Sequence, residues 1–419
     1  MDKVYLCIDL KSFYASVEAV ERGLDPFKTN LVVADASRGR GAICLAITPA
    51  LKALGVRNRC RLFEIPKGIE YITAMPRMRR YIEYSADVYS VYLQFVAPED
   101  ILVYSIDECF FDVTAYLGMY GKTPRELAVM MIEAVERETG ICASAGIGTN
   151  LFLAKVALDI TAKHVPDRIG WLDETRFKET LWHHTPITDF WNIGPGIARR
   201  LAKYGIYDLW GVAHTNPEWM EREFGVNARY LLDHAQGIEP CTMEEIHAYV
   251  PESTSISSGQ ILFENYDFAD ALLVMKEMVA ELSMELLERG MQTDSVSLHV
   301  GYAREEVPSG GGSRRLDRYT DSTRRLLSAF EALFQETVHR DEKIRRLTVG
   351  FGRLAAGDFV NFDMFSDYAA DEKERKKQKA VLELKKRFGK NAVLKGINLE
   401  EKATGRERNK MIGGHNGGI

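Results

Sequence analysis

The chain has 419 residues, 46% of them hydrophobic, which allows about two to four domains with substantial cores. No apolar run reaches about 18 residues, and the start leads directly into a strand, so neither a membrane span nor a secretory leader is expected. The net charge of −6 does not suggest a nucleic-acid binder, and six scattered cysteines without a Cys-x-x-Cys pair favour a reducing cytoplasm over structural zinc.

The first part of the chain alternates predicted strands and helices. The predicted elements are a strand over 3–9, a helix from about Ser12 to Arg22, an insertion to about residue 80, a helix, a hairpin over 101–114, a helix over 123–139 and a strand over 141–147. The helix over 123–139 is delimited by a Thr123–Glu126 capping box and by Gly140. The order β-α-β-β-α-β is the ferredoxin-like pattern, so we predict an α+β fold.

Acidic residues mark the ends of two of these elements. Asp9 ends the first strand, and Asp107 and Glu108 lie between the two apolar runs of the hairpin. The ferredoxin-like order places the end of the first strand beside the hairpin, so the three carboxylates are expected to converge. Hard oxygen ligands in such a cluster bind Mg²⁺, and a pair of such ions serves phosphoryl transfer. Two unrelated acidic turns remain the alternative.

A compact helical region is predicted from Thr185 to about Glu239. Its segment 190–201 resembles a helix-hairpin-helix, in which Gly194 and Gly196 let backbone N–H groups approach a phosphate. Arg199, just beyond, favours DNA, although an ordinary glycine turn between helices stays open.

A second unit with a βαββαβ-like pattern follows a polar connector at 240–252. We predict strands near 254–263, 293–302 and 343–352 and helices near 266–289 and 321–338, with the glycines at 310–312 marking a flexible loop. Strand alternation predicts that some of its arginines share a DNA-binding face, the alternative being a solvated charged surface. The candidates are Arg304, Arg314, Arg315, Arg345 and Arg346.

The remainder of the chain, from about residue 354, is rich in glycine and charge. Residues 371–410 carry 14 Lys and Arg against 7 Asp and Glu, a basic excess compatible with DNA contact despite the acidic total. A helix is predicted over 371–388, and disorder is the expectation outside it.

Two motifs carry a resemblance to a known family. The run from Asp9 to Glu18 (DLKSFYASVE), together with Tyr104–Glu108 (YSIDE), resembles the Y-family of translesion DNA polymerases, most closely the bacterial UmuC-related impB/mucB/samB branch. The resemblance implies a low-fidelity DNA-directed DNA polymerase acting on primer–template DNA in DNA damage tolerance and the SOS response. It also implies a palm (1–22 and 80–170), a fingers insertion (23–79), a thumb with the helix-hairpin-helix (171–239), a βαββαβ little finger (252–353) and a tail (354–419).

The resemblance also implies roles for single residues. Asp9 and Asp107 bridge two Mg²⁺ ions, Glu108 supports the catalytic ion, and the backbone carbonyl of Leu10 completes the site of the other. The backbone N–H of Phe13 meets the triphosphate of the deoxynucleotide. Tyr14 matches the steric gate that rejects a ribose 2′-hydroxyl, although a plain core aromatic is the alternative.

Further substrate contacts follow from the same resemblance. Gly41 and Ala42 match the segment that covers the nascent base pair, where small side chains leave room for a damaged base; tight strand packing is the alternative. Many family members have Tyr-x-Ala-Arg to hold the triphosphate, whereas this chain has Thr48 and Lys52 with one extra residue. Lys163 matches the other triphosphate lysine, unless it is a plain surface lysine.

The tail contains a segment similar to the peptide that docks bacterial polymerases on the sliding clamp. The match is degraded, and an apolar anchor on its own domain is an equal alternative. The residues concerned are Asn361, Phe362, Met364 and Phe365.

Two other functions compete with the polymerase. A nucleotide cyclase also uses acidic residues on a ferredoxin-like sheet, but it does not need a phosphate-binding hairpin or a second βαββαβ unit. A catalytically inactive DNA-binding or regulatory subunit is expected to lose at least one metal-binding acid, and all three acids are present here.

Overall fold

The computed structural model describes residues 3–251, 255–357 and 368–418. Its contacts divide the chain into two units, Met1–Val250 with Gly417–Ile419, and Pro251–Asn416. Among the described helices, none combines the length and apolar character needed to span a bilayer.

The first unit contains eight strands and twelve α-helices within its described residues. The strands are β1 (Tyr5–Leu10), β2 (Leu31–Val33), β3 (Ala46–Ile47), β4 (Ile72–Ala74), β5 (Ile101–Val103), β6 (Glu108–Asp112), β7 (Ala143–Gly148) and β8 (Ile169–Leu172). The helices are α1 (Phe13–Val20), α2 (Pro49–Ala53), α3 (Met78–Tyr92), α4 (Thr114–Tyr120), α5 (Pro124–Thr139), α6 (Leu151–Val156), α7 (Glu174–Leu181), α8 (Pro195–Ala202), α9 (Leu209–Ala213), α10 (Pro217–Phe224), α11 (Asn227–Ala235) and α12 (Met243–Ala248).

The main sheet of this unit has the order β5-β6-β1-β7-β8. Strand β1 lies antiparallel between β6 and β7, so the predicted ferredoxin-like order and the α+β class are confirmed. The fifth strand, β8, pairs parallel to β7 and was not predicted, because four residues that include Gly170 give too short a periodic signal. The predicted capping box of α5 is present, and Gly140 ends that helix with φ +71°.

Two smaller assemblies complete the first unit. Strands β3, β2 and β4 form a three-stranded sheet in the insertion, around a core that includes Val32, Ile47 and Leu51. Helices α7 to α11 pack around a core that includes Phe177 and Leu231 and extends to Phe152 of α6 and Leu172 of β8. The insertion thus has a core of its own, whereas these helices share theirs with elements beside the main sheet.

The second unit is built around a five-stranded sheet, in which the short strand β13 pairs with β10, and it also has a separate two-stranded sheet of β14 and β15. The strands of this unit are β9 (Ile256–Tyr266), β10 (Met291–Tyr302), β11 (Gly310–Thr320), β12 (Ile344–Gly352), β13 (Ala355–Ala356), β14 (Met411–Ile412) and β15 (His415–Asn416). Its α-helices are α13 (Phe268–Glu288), α14 (Thr323–Thr337), α15 (Tyr368–Phe388) and α16 (Gly405–Arg408). The sheet order β11-β10-β12-β9 with α13 and α14 gives a second β-α-β-β-α-β unit, as predicted.

The glycines at 310–312 do not form the flexible loop that the sequence predicts. They begin β11, where they pair with Leu298–Val300 of β10. Gly311 has φ +103°, and a Cβ there would lie 2.1 Å from the Leu298 carbonyl oxygen. Glycine is therefore needed for close strand approach, a demand that composition does not distinguish from loop flexibility.

The end of the tail is also more ordered than expected. Glu277 of α13 is buried, and its carboxylate accepts hydrogen bonds from the backbone N–H groups of Thr404 (2.7 Å) and Gly405 (3.1 Å). The Asn398 side-chain amide donates to the same carboxylate at 2.6 Å. Buried charge-assisted hydrogen bonds compensate for the low apolar content of the tail, so the prediction of disorder was wrong for this segment.

Candidate active site

The three acidic residues singled out in the sequence meet at one edge of the main sheet. Asp9 is the direct partner of Glu108 in the antiparallel pair of β1 and β6, so both side chains lie on one face. The backbone N–H of Leu10 donates to the Asp107 carbonyl oxygen at 2.9 Å, which ties the hairpin tip to the end of β1. The predicted convergence of the carboxylates therefore follows directly from the strand register.

Crowding of the acids is visible in the protonation of Asp9. Burial, followed by the nearby carboxylates of Asp107 and Glu108, raises the pKa of Asp9 to about 7. Neighbouring carboxylates offer hard oxygen atoms, which suit a divalent cation.

The carboxylates are nevertheless engaged by protein groups. Asp107 accepts a hydrogen bond from the Ser105 hydroxyl at 2.7 Å. Glu108 accepts one from the Cys7 thiol at 3.1 Å and one from the Lys155 ammonium at 2.8 Å. Accordingly, within the described residues no three His, Cys, Asp or Glu side chains are already arranged as metal ligands. The chemistry of the donors fits Mg²⁺, and some rearrangement of these side chains would accompany its binding.

Two aromatic residues, Phe13 and Tyr14, follow the turn after β1. Ser12 adopts the left-handed conformation (φ 51°), and α1 begins at the next residue, Phe13, which is buried. The first N–H groups of a helix have no partner inside it, so this turn offers donors to an anion. Burial and the Asp107 carboxylate raise the pKa of Tyr14, which places its hydroxyl near that acid.

One lysine, Lys52, interacts with Asp9, and two further lysines interact with Lys52. The pKa of Lys52 is lowered by burial of its amine and by Lys11 and Lys163, while Asp9 raises it, so these three lysines and Asp9 share one electrostatic neighbourhood. Lys163 itself is exposed and lines a cavity of about 360 Å³. Lys11 was missed in the sequence, where its only signal was its position two residues after Asp9.

Thr48 is not available as a substrate contact. It is completely buried, its hydroxyl donates to the Thr29 carbonyl oxygen at 2.7 Å and it accepts from the Leu31 N–H at 3.0 Å. The sequence-based assignment of Thr48 to the triphosphate is therefore corrected, because the hydroxyl instead satisfies backbone groups at the start of β2. These hydrogen bonds depend on residues 17 to 19 positions away in the chain, so the sequence around Thr48 does not indicate them.

The segment expected to cover the base pair forms an isolated antiparallel bridge, between Ile43 and Arg61. Ala42 is buried, and its carbonyl oxygen accepts from the Leu62 N–H at 3.0 Å. A Cβ on Gly41 would come within 4 Å of one described atom only, at 3.9 Å on the flexible Arg61 side chain. Internal packing therefore does not require glycine at position 41.

The two glycines of the predicted helix-hairpin-helix lie at the start of α8. Gly194 is its N-cap, and no described atom lies within 4 Å of a Cβ built on Gly194 or Gly196. Core packing therefore does not require glycine at either position. Arg199 is exposed, and its Nε donates to the Pro195 carbonyl oxygen at 3.3 Å.

The arginines of the second unit do not share one face. Arg314 is opposite the buried Val296 and pairs with Glu336 of α14, so it lies on the helix side of the sheet. Arg346 is opposite Ile261, whose side chain is 64% exposed. The predicted shared face therefore does not include Arg314, because the register places it on the opposite side.

The other arginines differ in their partners. Arg315 lies 3.1 Å from Asp294, and Arg304 pairs with Glu342. For Arg345 and Arg346, no ion-pair partner is found in the part of the chain that the structure describes. The clamp-like residues Asn361, Phe362, Met364 and Phe365 lie outside the described residues.

Two further residues at the site were missed in the sequence. Tyr81 stacks on Tyr14 from α3, and Lys155 reaches Glu108 from α6. Tyr81 gave no sequence signal. Lys155 had one weak signal, Asp159 four residues later on the same helical face.

Comparisons with known proteins agree with this geometry. The model of the impB/mucB/samB family matches residues 8–159, and that of the family's C-terminal domain matches residues 253–364. The chain is 30% identical to the putative UV-damage repair protein UvrX of Bacillus subtilis (99% of this chain, 97% of the relative). It is 32% identical to DNA polymerase IV 2 of the same organism (99% of each chain).

A solved structure shows the same fold. A Y-family DNA polymerase chimera of Dbh and Dpo4 superposes with a TM-score of 0.65 at 21% identity, covering 84% of this chain and 99% of the other. Because the relatives align along nearly the whole sequence, the chain belongs to the impB/mucB/samB family of Y-family DNA polymerases.

Proposed function

We propose that the protein is a DNA-directed DNA polymerase of the low-fidelity translesion type, which adds deoxynucleotides to a primer 3′ end in DNA damage tolerance. The observation that carries the proposal is the register of Asp9 opposite Glu108, with Asp107 tied to the end of the same strand. The names of the relatives, DNA polymerase IV and a putative UV-damage repair protein, point to the same activity.

The proposed cofactors are two Mg²⁺ ions held by Asp9, Asp107, Glu108 and the Leu10 carbonyl oxygen. When bound, such ions lower the pKa of an attacking hydroxyl and neutralise charge on a triphosphate. The raised pKa of Asp9 supports this set, because crowded carboxylates are relieved by a divalent cation. Binding of the triphosphate, for which a lysine acts as a point charge, is assigned to Lys52, Lys163 and Lys11, and their shared electrostatic neighbourhood with Asp9 supports the assignment.

Selection of the sugar is assigned to Tyr14. Its ring stacks on Tyr81 of α3, so it cannot move towards α3 to make space for a 2′-hydroxyl. A ribonucleotide would therefore clash with the ring. We assign room for a damaged template base to Gly41 and Ala42. Their small side chains leave space above the base pair and therefore discriminate less between base pairs of different shape.

Binding of primer–template DNA is assigned to two surfaces, each within one unit. The glycines at the start of α8, with Arg199, suit contact with a phosphate without reading base identity. In the second unit, Arg345 and Arg346 are the arginines of the predicted set without an ion-pair partner among the described residues, so they are the preferred backbone contacts.

Primer extension with Mg²⁺ and deoxynucleotides tests the activity, with Asp107→Ala as the inactive comparison. Loss of one metal-binding charge is expected to reduce the rate by at least about 10²-fold. Asp112→Ala is the matched control, since Asp112 lies on the same β6 strand but pairs with Lys3 at the other end of the sheet. If neither wild type nor variant extends the primer while both bind it, the protein is a regulatory DNA-binding subunit.

A template-free reaction separates the polymerase from a nucleotide cyclase. A cyclase converts a nucleoside triphosphate without primer or template, whereas the proposed enzyme requires both. Release of pyrophosphate from triphosphate alone, at the rate seen with primed DNA, would contradict the proposal.

Docking on a sliding clamp stays a prediction that concerns residues 360–365. Deleting this segment is expected to abolish clamp-stimulated synthesis and to leave basal synthesis intact. Stimulation that persists in the deletion variant would rule the segment out as the docking peptide.

A further inference from the structure

Both oxygen atoms of the Glu108 carboxylate are held by groups that have no assigned role in the reaction. The Cys7 thiol donates to Oε1 at 3.1 Å, and the Lys155 ammonium donates to Oε2 at 2.8 Å. Burial, then the Glu108 carboxylate, raises the pKa of Cys7, so the thiol keeps the proton that it donates. Glu108 thus has a defined orientation without any metal ion.

Lys155 reaches this position because α6 lies unusually close to the sheet. A Cβ on Gly146 would lie 2.1 Å from the Ala154 carbonyl oxygen, and one on Gly148 would lie 2.2 Å from the Ala154 nitrogen. Gly170 of β8 is equally close to the next helical turn, 2.3 Å from the Ala157 carbonyl oxygen. Because these three glycines have no side chains, α6 and the turn that follows it can pack directly on the backbone of β7 and β8. A side chain at any of the three would move the helix, and with it Lys155, away from Glu108.

A second carboxylate holds the same ammonium group. Asp159 lies one turn after Lys155, on a π-helical segment (Ala157–Thr161), and its Oδ2 is 3.1 Å from Nζ. Lys155 is buried, whereas the Asp159 side chain is 31% exposed and lines the same cavity as Lys163. The ammonium is thus fixed from two sides, and π-helical turns often occur at functional sites.

We propose that Lys155 is a positioning residue that fixes the Glu108 carboxylate and balances its charge until divalent ions bind. The inference rests on the proposed polymerase function and deepens it. Without this cation, Asp9, Asp107 and Glu108 are three neighbouring carboxylates with no compensating charge on the α6 side. With it, the Glu108 carboxylate is held in one orientation, and the metal ions compete with one internal cation for the site.

The proposal predicts opposite effects on metal binding and on turnover. Replacing Lys155 by methionine removes a positive charge, so Mn²⁺, used as a probe, is expected to bind about three- to tenfold more tightly. Because Glu108 is no longer fixed, kcat for single-nucleotide extension is expected to fall at least about tenfold, with KM for the nucleotide within about twofold.

Charge and hydrogen bonding are separated by two further variants. Lys155→Arg keeps the charge and is expected to restore much of kcat and the wild-type Mn²⁺ affinity. Lys155→Gln keeps a donor without charge and is expected to bind Mn²⁺ as tightly as Lys155→Met. This variant also serves if Lys155→Met does not fold, which its melting temperature reveals.

Lys3→Met is the matched control. Lys3 pairs with Asp112 at 2.7 Å at the far end of the same two strands, so its loss removes a more exposed lysine–carboxylate pair away from the acids. It is expected to change neither kcat nor Mn²⁺ affinity.

Mn²⁺ affinity is measured by electron paramagnetic resonance on the full chain with a dideoxy-terminated primer–template, so that no reaction is needed. If the Mn²⁺ affinity of Lys155→Met and Lys155→Gln equals that of wild type, or if Lys3→Met shifts it equally, the proposal is overturned. Failure of wild type to extend a primer would instead refute the polymerase function, and the Mn²⁺ comparison would still decide the role of Lys155.

Discussion

Tyr14 stacks on Tyr81, with ring centroids 4.4 Å apart and ring planes 14° apart. The Tyr81 hydroxyl donates to the buried Glu18 carboxylate at 2.8 Å. Burial favours the neutral form of Glu18, but hydrogen bonds from Arg77, Arg22 and Tyr81 outweigh it and lower the pKa of Glu18. The Tyr81 ring that stacks on Tyr14 is therefore held in place by an ionic network around the buried Glu18 carboxylate.

This support predicts the effect of shortening Tyr14. In Tyr14→Ala, the preference for deoxynucleotides over ribonucleotides is expected to fall at least about tenfold, or ~1.4 kcal/mol of discrimination, because the ring that meets a 2′-hydroxyl is gone. Competing single-nucleotide insertion measures the ratio. Tyr84→Ala, which removes a tyrosine from the same α3 helix as Tyr81, is the control. Equal discrimination in Tyr14→Ala and wild type would contradict the steric role.

Protonation of Asp9 predicts a pH dependence of stability in metal-free protein. The pKa of Asp9 is raised from 3.8 to about 7, so between these values the folded state binds more protons than the unfolded state. The contribution of this carboxyl to stability is therefore greatest at low pH and is lost as the pH rises towards 7. In a chelator, Asp9→Asn is expected to melt above wild type at pH 8, with a smaller difference at pH 5.

Asp112 is the control of opposite sign. The pKa of Asp112 is lowered, because hydrogen bonds from Lys3 and Thr114 outweigh burial, so this carboxylate stabilises the protein at neutral pH. Asp112→Asn is expected to melt below wild type at pH 8. A difference between Asp9→Asn and wild type that stays constant from pH 5 to pH 8 would show that Asp9 titrates normally.

The roles of Thr48 and Lys52 are separated by two substitutions. Thr48→Val leaves the Thr29 carbonyl and the Leu31 N–H without their hydroxyl partner, which is expected to cost about 1–3 kcal/mol of stability without changing KM for the nucleotide. Lys52→Ala removes a cation near Asp9 and is expected to raise that KM several-fold without loss of stability. Chemical denaturation and steady-state kinetics measure the two effects. A raised KM in folded Thr48→Val would restore Thr48 as a substrate contact.

Glycines in two environments are expected to respond differently to a side chain. Gly196→Val meets open space at the start of α8, so the melting temperature should be kept while affinity for primer–template DNA falls several-fold. Gly146→Ala places a Cβ 2.1 Å from the Ala154 carbonyl oxygen and should destabilise the protein. Fluorescence anisotropy at two salt concentrations measures the affinity. Full DNA affinity in Gly196→Val would favour an ordinary helix turn.

Loss of the buried Glu277 carboxylate is expected to release the end of the tail. Glu277→Ala removes the acceptor for Thr404, Gly405 and Asn398, so amide hydrogen exchange should rise over 395–410. Glu285→Ala, two turns further along α13, is the control, since Glu285 pairs with Arg289. Exchange that stays slow in Glu277→Ala would mean that other contacts hold the segment.

Local patterns determined much of this protein without a structure. Strand alternation and the β-α-β-β-α-β order placed Asp9 beside the acids of the hairpin, because antiparallel neighbours share a face when they are in register. The capping box of α5 was equally predictable, since its partners are three residues apart.

Only the tertiary structure decided how distant groups meet. Lys155 reaches Glu108 because three glycines admit α6, and Glu277 holds Thr404 across 127 residues. The Thr48 hydroxyl is used by the backbone of neighbouring segments, and Gly311 serves strand packing instead of a loop. Each of these depends on close approach between segments far apart in the chain, for which neither periodicity nor composition carries a signal.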